Sequence, residues 1–306
     1  MKFTIFTPSF NRAHTLPKLF RSLNSQTFQD FEWIIVDDGS TDATAELVKN
    51  MQQTMKAYDI IYLKTENGGK HRAVNLGLIH ARGELFFIVD SDDYLPEKSL
   101  EIFDQVEKTI PVEQKQNFAG ICGQRYYIKE DKAIGTTFHD KEFLDITTNE
   151  RAKYKIFGDK SEVVYTDIFR KYPFPEIPGE TFCTENIVWD RIAHDGFKFR
   201  FFNGDVYRCD YQPDGLTQKG MKLYADNPIQ WSMQISQAWN IGKDNFYTNS
   251  YQCYVFYLWK KDHLSKKEIA KVLGISTMEL WLRIFVQNTA NLARLLLRRK
   301  ILTKDL

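Results

Sequence analysis

Four short apolar runs, each leading through a polar turn into a stretch of helical spacing, fill the first 96 residues and constrain the fold more than any other feature. Phe3-Thr4-Ile5-Phe6-Thr7-Pro8 reads as a strand that Pro8 stops, followed by a turn at Ser9-Phe10-Asn11-Arg12 and a helix from about Leu16 to Ser25. Glu32-Trp33-Ile34-Ile35-Val36 is a second buried strand, after which Ala43 to Met55 has helical composition. Ile60-Ile61-Tyr62-Leu63 is a third, and a helix from His71 to Arg82 follows the turn Asn67-Gly68-Gly69-Lys70. Leu85-Phe86-Phe87-Ile88-Val89 is the fourth. This order, with connections so short, requires a mainly parallel sheet with helices on both faces, because parallel neighbours are joined by crossovers that lie over the sheet.

Two of these runs end in acid. Val36 gives way to Asp37-Asp38-Gly39-Ser40-Thr41-Asp42, and Val89 to Asp90-Ser91-Asp92-Asp93, with three carboxylates in four positions. In an open α/β sheet, ligands bind beyond the carboxyl ends of the strands, so acid there points at a cation or a polyhydroxylated ligand. Mg²⁺ and Mn²⁺ take hard oxygen donors, and Mg²⁺ in particular uses one or two carboxylates and leaves positions to substrate phosphates, which suits a nucleotide diphosphate. The same residues fit a solvated turn whose Asp and Ser cap a helix opened by Pro96, and spacing alone does not separate the two.

Thr7-Pro8-Ser9-Phe10-Asn11-Arg12, Val36-Asp37-Asp38-Gly39-Ser40-Thr41-Asp42 and Asp90-Ser91-Asp92-Asp93 together resemble the family 2 glycosyltransferases, which have the GT-A fold. Asn67-Gly68-Gly69, with Ala73-Val74-Asn75-Leu76-Gly77 and Ala81-Arg82-Gly83-Glu84, is similar to that family's third element, and the resemblance covers roughly residues 1–215. It implies an α/β GT-A catalytic domain over 1–220, divided into a nucleotide-binding half (1–96) and an acceptor-binding half (97–220). It implies inverting transfer of a sugar from a nucleotide diphosphate, with UDP expected, to a hydroxyl of a glycan, lipid-linked or protein-linked acceptor.

By the same resemblance, the backbone at Thr7 and Pro8 and the carboxylate of Asp38 hold the base, with Asn11, Asn67 and Asn75 among the nucleotide-sugar contacts. An acceptor-only group at Asp38 matches an imide N–H such as that of uracil. Asp37 reads instead as a turn-stabilising acid. Asp90 and Ser91 face the ribose or a metal-bound water, and Asp92, supported by Asp93, ligates Mn²⁺ or Mg²⁺. Lys70 is assigned to the donor, although a solvated helix start accounts for Lys70-His71-Arg72 equally well.

Beyond the fourth strand, Ala119–Gly123 and Arg125–Ile128 suggest further strands, and Lys141 to Lys155 reads as a polar excursion on the acceptor side. Tyr172-Pro173-Phe174-Pro175-Glu176-Ile177-Pro178-Gly179 is a shaped loop, since its prolines remove donors and extend the residues before them. Thr184 to Ile192 follows as a capped helix with Ile187, Val188 and Ile192 inward. Aligning Arg191 with the arginine of the family's E-D-(x)n-R helix places Glu185 at the catalytic carboxylate, with Glu in place of Asp and Thr184 before it. Inversion needs a base opposite the leaving diphosphate to take the acceptor proton. The competing reading has Glu185 stabilise its own helix N-terminus. Phe197–Phe201 and Tyr207–Tyr211 alternate as two strands. The histidine that relatives often carry near Pro213–Thr217 is missing, leaving Arg208, Asp210 and Lys219 to replace it.

From about Met221 the chain reads as a helical region, 221–306, including Tyr251 to Lys260 and a long helix from Met278 to Arg299. Residues 260–306 hold 11 Lys or Arg against 4 Asp or Glu, yet the whole chain has a net charge of only +1. That balance speaks against nucleic acid as the main partner. His263 to Ser276 is similar to the opening of a DNA-binding helix-turn-helix, but the next helix starts with Thr277-Met278-Glu279-Leu280-Trp281-Leu282, largely apolar, so a packing unit is expected. Met278, Trp281, Phe285, Leu292 and Leu296 recur at helical spacing. That stripe fits docking on its own domain, a homo-oligomer through the C-terminal helices, or peripheral contact with an anionic membrane.

Four scattered cysteines, the absence of a signal-like start and the absence of a long apolar run lead to the expectation of a cytoplasmic enzyme, at most peripheral to the inner face of the plasma membrane. A sugar nucleotidyltransferase would need a G-G-x-G-T-R turn where Thr7–Arg12 stands. A DNA-binding or scaffold protein using the basic tail predicts salt-sensitive DNA affinity.

Overall fold

The structure, a computed structural model, describes residues 1–55, 57–209 and 215–302, with side chains described through Asn291 apart from residues 216 and 217. It divides into two units, Met1–Lys219 and Gly220–Leu306. The first contains β1 (Phe3–Ser9), α1 (Leu16–Asn24), β2 (Phe31–Asp37), α2 (Thr44–Thr54), β3 (Ile60–Lys64), α3 (Lys70–His80), β4 (Leu85–Ile88), α4 (Ser99–Lys108), β5 (Phe118–Tyr127), β6 (Leu144–Ile146), β7 (Lys160–Tyr165), α5 (Thr166–Phe169), α6 (Asn186–His194) and β8 (Lys198–Cys209).

These strands form one sheet in the order β3-β2-β1-β4-β7-β5-β8-β6. The first three βα crossovers keep β1 to β4 parallel, as the alternation requires. The chain first builds outward from β1 to β3, then returns to lay β4 on the other side of β1. That reversal opens a crevice between the tips of β1 and β4, the place where open α/β sheets bind ligands. β7 then enters antiparallel to both β4 and β5, so the sheet is mixed.

Successive residues on each strand serve opposite faces. Phe3, Ile5, Trp33, Ile35 and Phe87 meet Leu19, Val48 and Phe103 of α1, α2 and α4 on one face. Phe6, Ile34, Val36 and Phe86 meet Val74 and Leu78 of α3 and Val188 and Ile192 of α6 on the other. On α3, Gly77 lets the helix lie close to the sheet, because a Cβ there would stand 2.3 Å from the Phe6 ring.

Four details depart from the sequence reading. Pro8 does not stop β1, which runs on to Ser9. β4 pairs with β1 only as far as Phe6 opposite Ile88, so on that side no strand donor is needed at Pro8. The stretches read as separate pairs of strands are single long strands, β5 and β8, whose pairing shifts register between Phe118 and Gly120 and again around the polar Asn203-Gly204-Asp205. The 141–155 excursion contains β6, an edge strand held to β8 and locked by a bidentate Arg200–Asp145 pair at 2.8 and 2.6 Å. The helix read from Thr184 starts at Asn186 and has no side-chain cap.

The second unit is helical: α7 (Gly220–Asp226), α8 (Pro228–Asn240), α9 (Phe246–Lys260), α10 (Lys266–Val272) and α11 (Thr277–Leu302). Trp231, Phe256, Ile269, Leu273, Leu280 and Ile284 form its core. Arg283, 1% exposed, is also inward and donates to Asn249 Oδ1 and Glu279 Oε1, each at 2.6 Å. The apolar stripe does not coincide with this inward face. Met278, Trp281, Leu282 and Phe285 are all exposed, Met278 at 82% and Phe285 at 65%, so this part of the helix is not docked on its own unit. Leu292 and Leu296 lie outside the described side chains. Among the described residues, no helix is long and apolar enough to cross a membrane.

Candidate active site

The loops that leave β1, β2 and β3 are tied to one another at the carboxyl end of the sheet. Asn11, at a positive φ of 54°, accepts from the backbone N–H of Thr41 at 2.9 Å and of Asp42 at 3.3 Å. Its own N–H donates to Ser40 Oγ at 2.8 Å. Asp37 is fully buried, accepting from Ser40 N and the Tyr62 hydroxyl, which bears out a turn-stabilising role. Thr7 is buried, its hydroxyl accepting from Trp33 Nε1 at 2.9 Å, and the half-exposed Pro8 follows it within β1.

Asp38 closes the third loop. Its two carboxylate oxygens accept from Gly68 N at 2.7 Å and Gly69 N at 2.8 Å, and Asn67 Nδ2 donates to the Asp38 carbonyl. Gly69 is required where it stands: φ is +97°, and a Cβ would fall 1.8 Å from the Thr181 carbonyl oxygen. Burial pushes the Asp38 carboxyl up, against the pull of the two amide donors.

The tip of β4 carries the acid cluster, and each member is held differently. Asp93 is buried and accepts from the Tyr207 hydroxyl at 2.7 Å, while that hydroxyl accepts from Asp90 N at 3.0 Å. Tyr207 on β8 therefore fixes the Asp90–Asp93 turn from beneath. The Arg125 guanidinium lies 4.3 Å from the Tyr207 ring centroid. Burial, with Asp90 and Asp92 beside it, drives the Asp93 carboxyl well above the ordinary range. Asp92 is partly exposed and has no side-chain partner among the described residues; burial and the charge of Asp90 push it up. Ser91 is buried between them.

Asp90 faces Lys70, the first residue of α3. Lys70 Nζ stands 2.6 Å from Asp90 Oδ1 and 3.0 Å from Glu185 Oε1. Burial works against the Lys70 ammonium, but the charges of Asp90 and Glu185 outweigh it and hold the amine above the usual lysine range. Asp90 is held below the usual carboxylate range, burial being overcome by Lys70 and Arg125. Glu185 immediately precedes α6, yet its carboxylate does not cap that helix; it reaches Lys70 instead. The structure thus brings Glu185 to the acid cluster, across nearly a hundred residues of sequence.

Asn75 goes elsewhere. Its amide donates to the Phe174 carbonyl at 2.9 Å and to Glu176 Oε1 at 2.7 Å, and its oxygen accepts from Phe174 N at 2.9 Å. The proline-rich loop cannot satisfy its own backbone, and this side chain does so for it, which withdraws Asn75 from the donor contacts. Arg191 likewise donates to the Pro173 carbonyl at 2.9 Å. Arg208 is tied to Asp205 and Asp131, and Lys219 is exposed. Asp210 lies outside the described residues. Arg125 and Tyr207 were missed in the sequence because each lies within an ordinary strand alternation.

Among the described residues, no three His, Cys, Asp or Glu groups are arranged to hold a metal by themselves. The donor set fits a different arrangement, in which Asp92 offers a free hard oxygen beside two other carboxylates and a dication relieves their mutual repulsion.

The model of the Glycosyl transferase family 2 matches residues 4–172, more than half the sequence, and the chain belongs to that family. It is 33% identical over 231 residues to the GalNAc(5)-diNAcBac-PP-undecaprenol beta-1,3-glucosyltransferase of Campylobacter jejuni, a match covering 73% of this chain and 71% of that relative. The chain spans about a fifth of the length of the first curated relatives it matches. Among solved structures, it is similar to Staphylococcus aureus TarS 1-349 in complex with UDP-GlcNAc, with a TM-score of 0.60, 15% identity, and coverage of 95% of this chain and 92% of that one. Mannosyltransferase PcManGT from Pyrobaculum calidifontis, in complex with GDP-Man and Mn²⁺, has a TM-score of 0.55 at 19% identity, covering 98% and 80%. These likenesses speak for the fold, which is GT-A.

Proposed function

We propose that this chain is an inverting glycosyltransferase that moves a sugar from a UDP-sugar to a hydroxyl of a glycan, lipid-linked or protein-linked acceptor. Residues 1–96 hold the nucleotide and 97–220 face the acceptor. The observation that carries the reading is the Lys70 ammonium joining Asp90, at the tip of β4, to Glu185, at the start of α6. It supports one centre in which a base stands opposite the group that leaves.

In that centre, the backbone at Thr7 and Pro8 meets the base together with Asp38, and Asn11 and Asn67 keep those loops in register. Asp90 turns to the ribose, with Ser91 beneath it. Asp92, backed by Asp93, would hold Mn²⁺ or Mg²⁺, and such an ion would offset the charge of the leaving diphosphate. The Glu185 carboxylate takes the proton of the acceptor hydroxyl as that oxygen bonds to the anomeric carbon. The bond from that carbon to the diphosphate oxygen breaks, and its electron pair leaves on the diphosphate. Lys70 keeps Glu185 in position and supplies positive charge where the donor phosphates arrive.

The test is UDP release from a panel of UDP-sugars with Mn²⁺, by wild type and by Glu185→Gln and Asp92→Asn. Release by the wild type, weakened in both variants, is expected; equal release by all three would end the assignment.

A second contact rests on unit Gly220–Leu306. We propose that Met278, Trp281, Leu282 and Phe285 meet an anionic membrane surface. Lys266, 3.5 Å over the Trp281 ring, and Lys267 and Lys271 beside it supply the complementary charge. A lipid-linked acceptor would be presented at such a surface.

A further inference from the structure

Glu162 is a carboxylate that none of the roles above uses. β7 pairs antiparallel with β4, with Tyr165 opposite Leu85 and Val163 opposite Phe87. Continuing that register brings Glu162 level with Ile88, two residues short of Asp90. The next strand sets it opposite Cys122. Val163 belongs to the core under α1, α2 and α4, while Val164 belongs to the core under α3 and α6, so alternation turns Glu162 to the side of α6, the helix that Glu185 precedes.

On this side, Glu162 is partly exposed, and beyond its own backbone N–H its carboxylate has no hydrogen-bond or ion-pair partner among the described residues. The charges that act on it are those of Arg151, Arg125 and Glu185. Burial is the larger influence and raises its proton affinity. Arg151 is itself held by the Gly158 carbonyl, to which its guanidinium donates. Polar groups in a fold are normally satisfied, and a partly exposed carboxylate without a partner on another described residue calls for a donor such as a ligand hydroxyl.

We propose that Glu162 binds a hydroxyl of the sugar lying next to Glu185 and so helps decide which hydroxyl pattern is accepted. The Glu162 carboxylate accepts from the hydroxyl hydrogen, and the Arg151 charge acting on it favours the ionised, accepting form. This rests on the glycosyltransferase reading and deepens it. The hydroxyl belongs either to the transferred sugar or to the acceptor, and the kinetics separate the two.

The test compares full-length wild type and Glu162→Gln with Mn²⁺ in three measurements: calorimetric binding of UDP, calorimetric binding of the UDP-sugar best hydrolysed in the panel, and transfer to methyl glycosides. UDP affinity and melting temperature should be preserved in the variant. If the hydroxyl is on the donor, affinity for the UDP-sugar falls roughly 10- to 100-fold while UDP affinity holds, the range for a lost hydrogen bond to a charged group. If it is on the acceptor, both affinities hold and KM for the glycoside rises by a similar factor. Either split supports the site, and a merely structural role would lower the melting temperature without producing one. All three measurements within twofold of wild type overturn it. A wild type that binds neither UDP nor any UDP-sugar removes the underlying reading, and the Glu162 site with it.

Discussion

Lys70 Nζ lies 3.0 Å from Glu185 Oε1, although 115 residues separate them in the sequence, and the same nitrogen holds Asp90 Oδ1 at 2.6 Å. Glu185→Gln should therefore retain donor affinity and lower turnover by roughly 10² to 10⁴, the range for a positioned general base. Near-parental turnover on the true acceptor would move the base to another acid.

Asp92→Asn is expected to abolish metal-dependent UDP binding while the melting temperature stays level or rises, because the substitution removes a charge that Asp90 and Asp93 repel. Calorimetry with UDP and Mn²⁺ decides it. Unaltered binding would withdraw Asp92 as a ligand.

Asn75→Ala should destabilise the first unit by about 1–3 kcal/mol, since Phe174 loses partners for both its N–H and its carbonyl. Urea unfolding measures this, with UDP binding as the companion. A loss of UDP affinity at unchanged stability would return Asn75 to the donor.

His71 carries an acid-side prediction. Burial, with Arg72 adjacent, lowers its pKa from 6.5 to about 4. Between those values the unfolded chain takes up a proton that the native chain refuses, so the contribution is fully present above pH 6.5 and fades as pH falls towards 4. The loss amounts to something on the order of 2–3 kcal/mol. His71→Gln should flatten the fall in melting temperature between pH 7 and pH 4.5; an equally steep fall in both proteins would assign it to other groups.

The face of α11 should bind vesicles containing anionic lipid, with binding that fades as salt rises and disappears in the double substitution Trp281→Glu and Phe285→Glu. Co-sedimentation measures this. A wild type that stays in the supernatant at low salt but scatters light as an oligomer would give the face to a second copy instead.

The sequence alone determined the β1 to β4 alternation, the placement of acid at two strand tips and the helical character of the region after Met221. Each is a local property: a hydrophobic period, a breaker residue or a charge run is written in neighbouring residues and survives without knowledge of the rest. Tertiary structure decided the partners. Among the described residues Asp93 has a side-chain partner and Asp92 has none, because Tyr207 arrives on β8 from more than a hundred residues away to hold Asp93. Asn75 belongs to the proline loop for the same reason, and β7 enters antiparallel only because the chain returns from the β6 excursion in that direction. Nor could helical spacing tell which face of α11 turns inward. The stripe Met278, Trp281 and Phe285 is as periodic as Leu280, Arg283 and Ile284, and packing against α9 and α10 chose the second set, because a buried arginine could find Asn249 and Glu279 there.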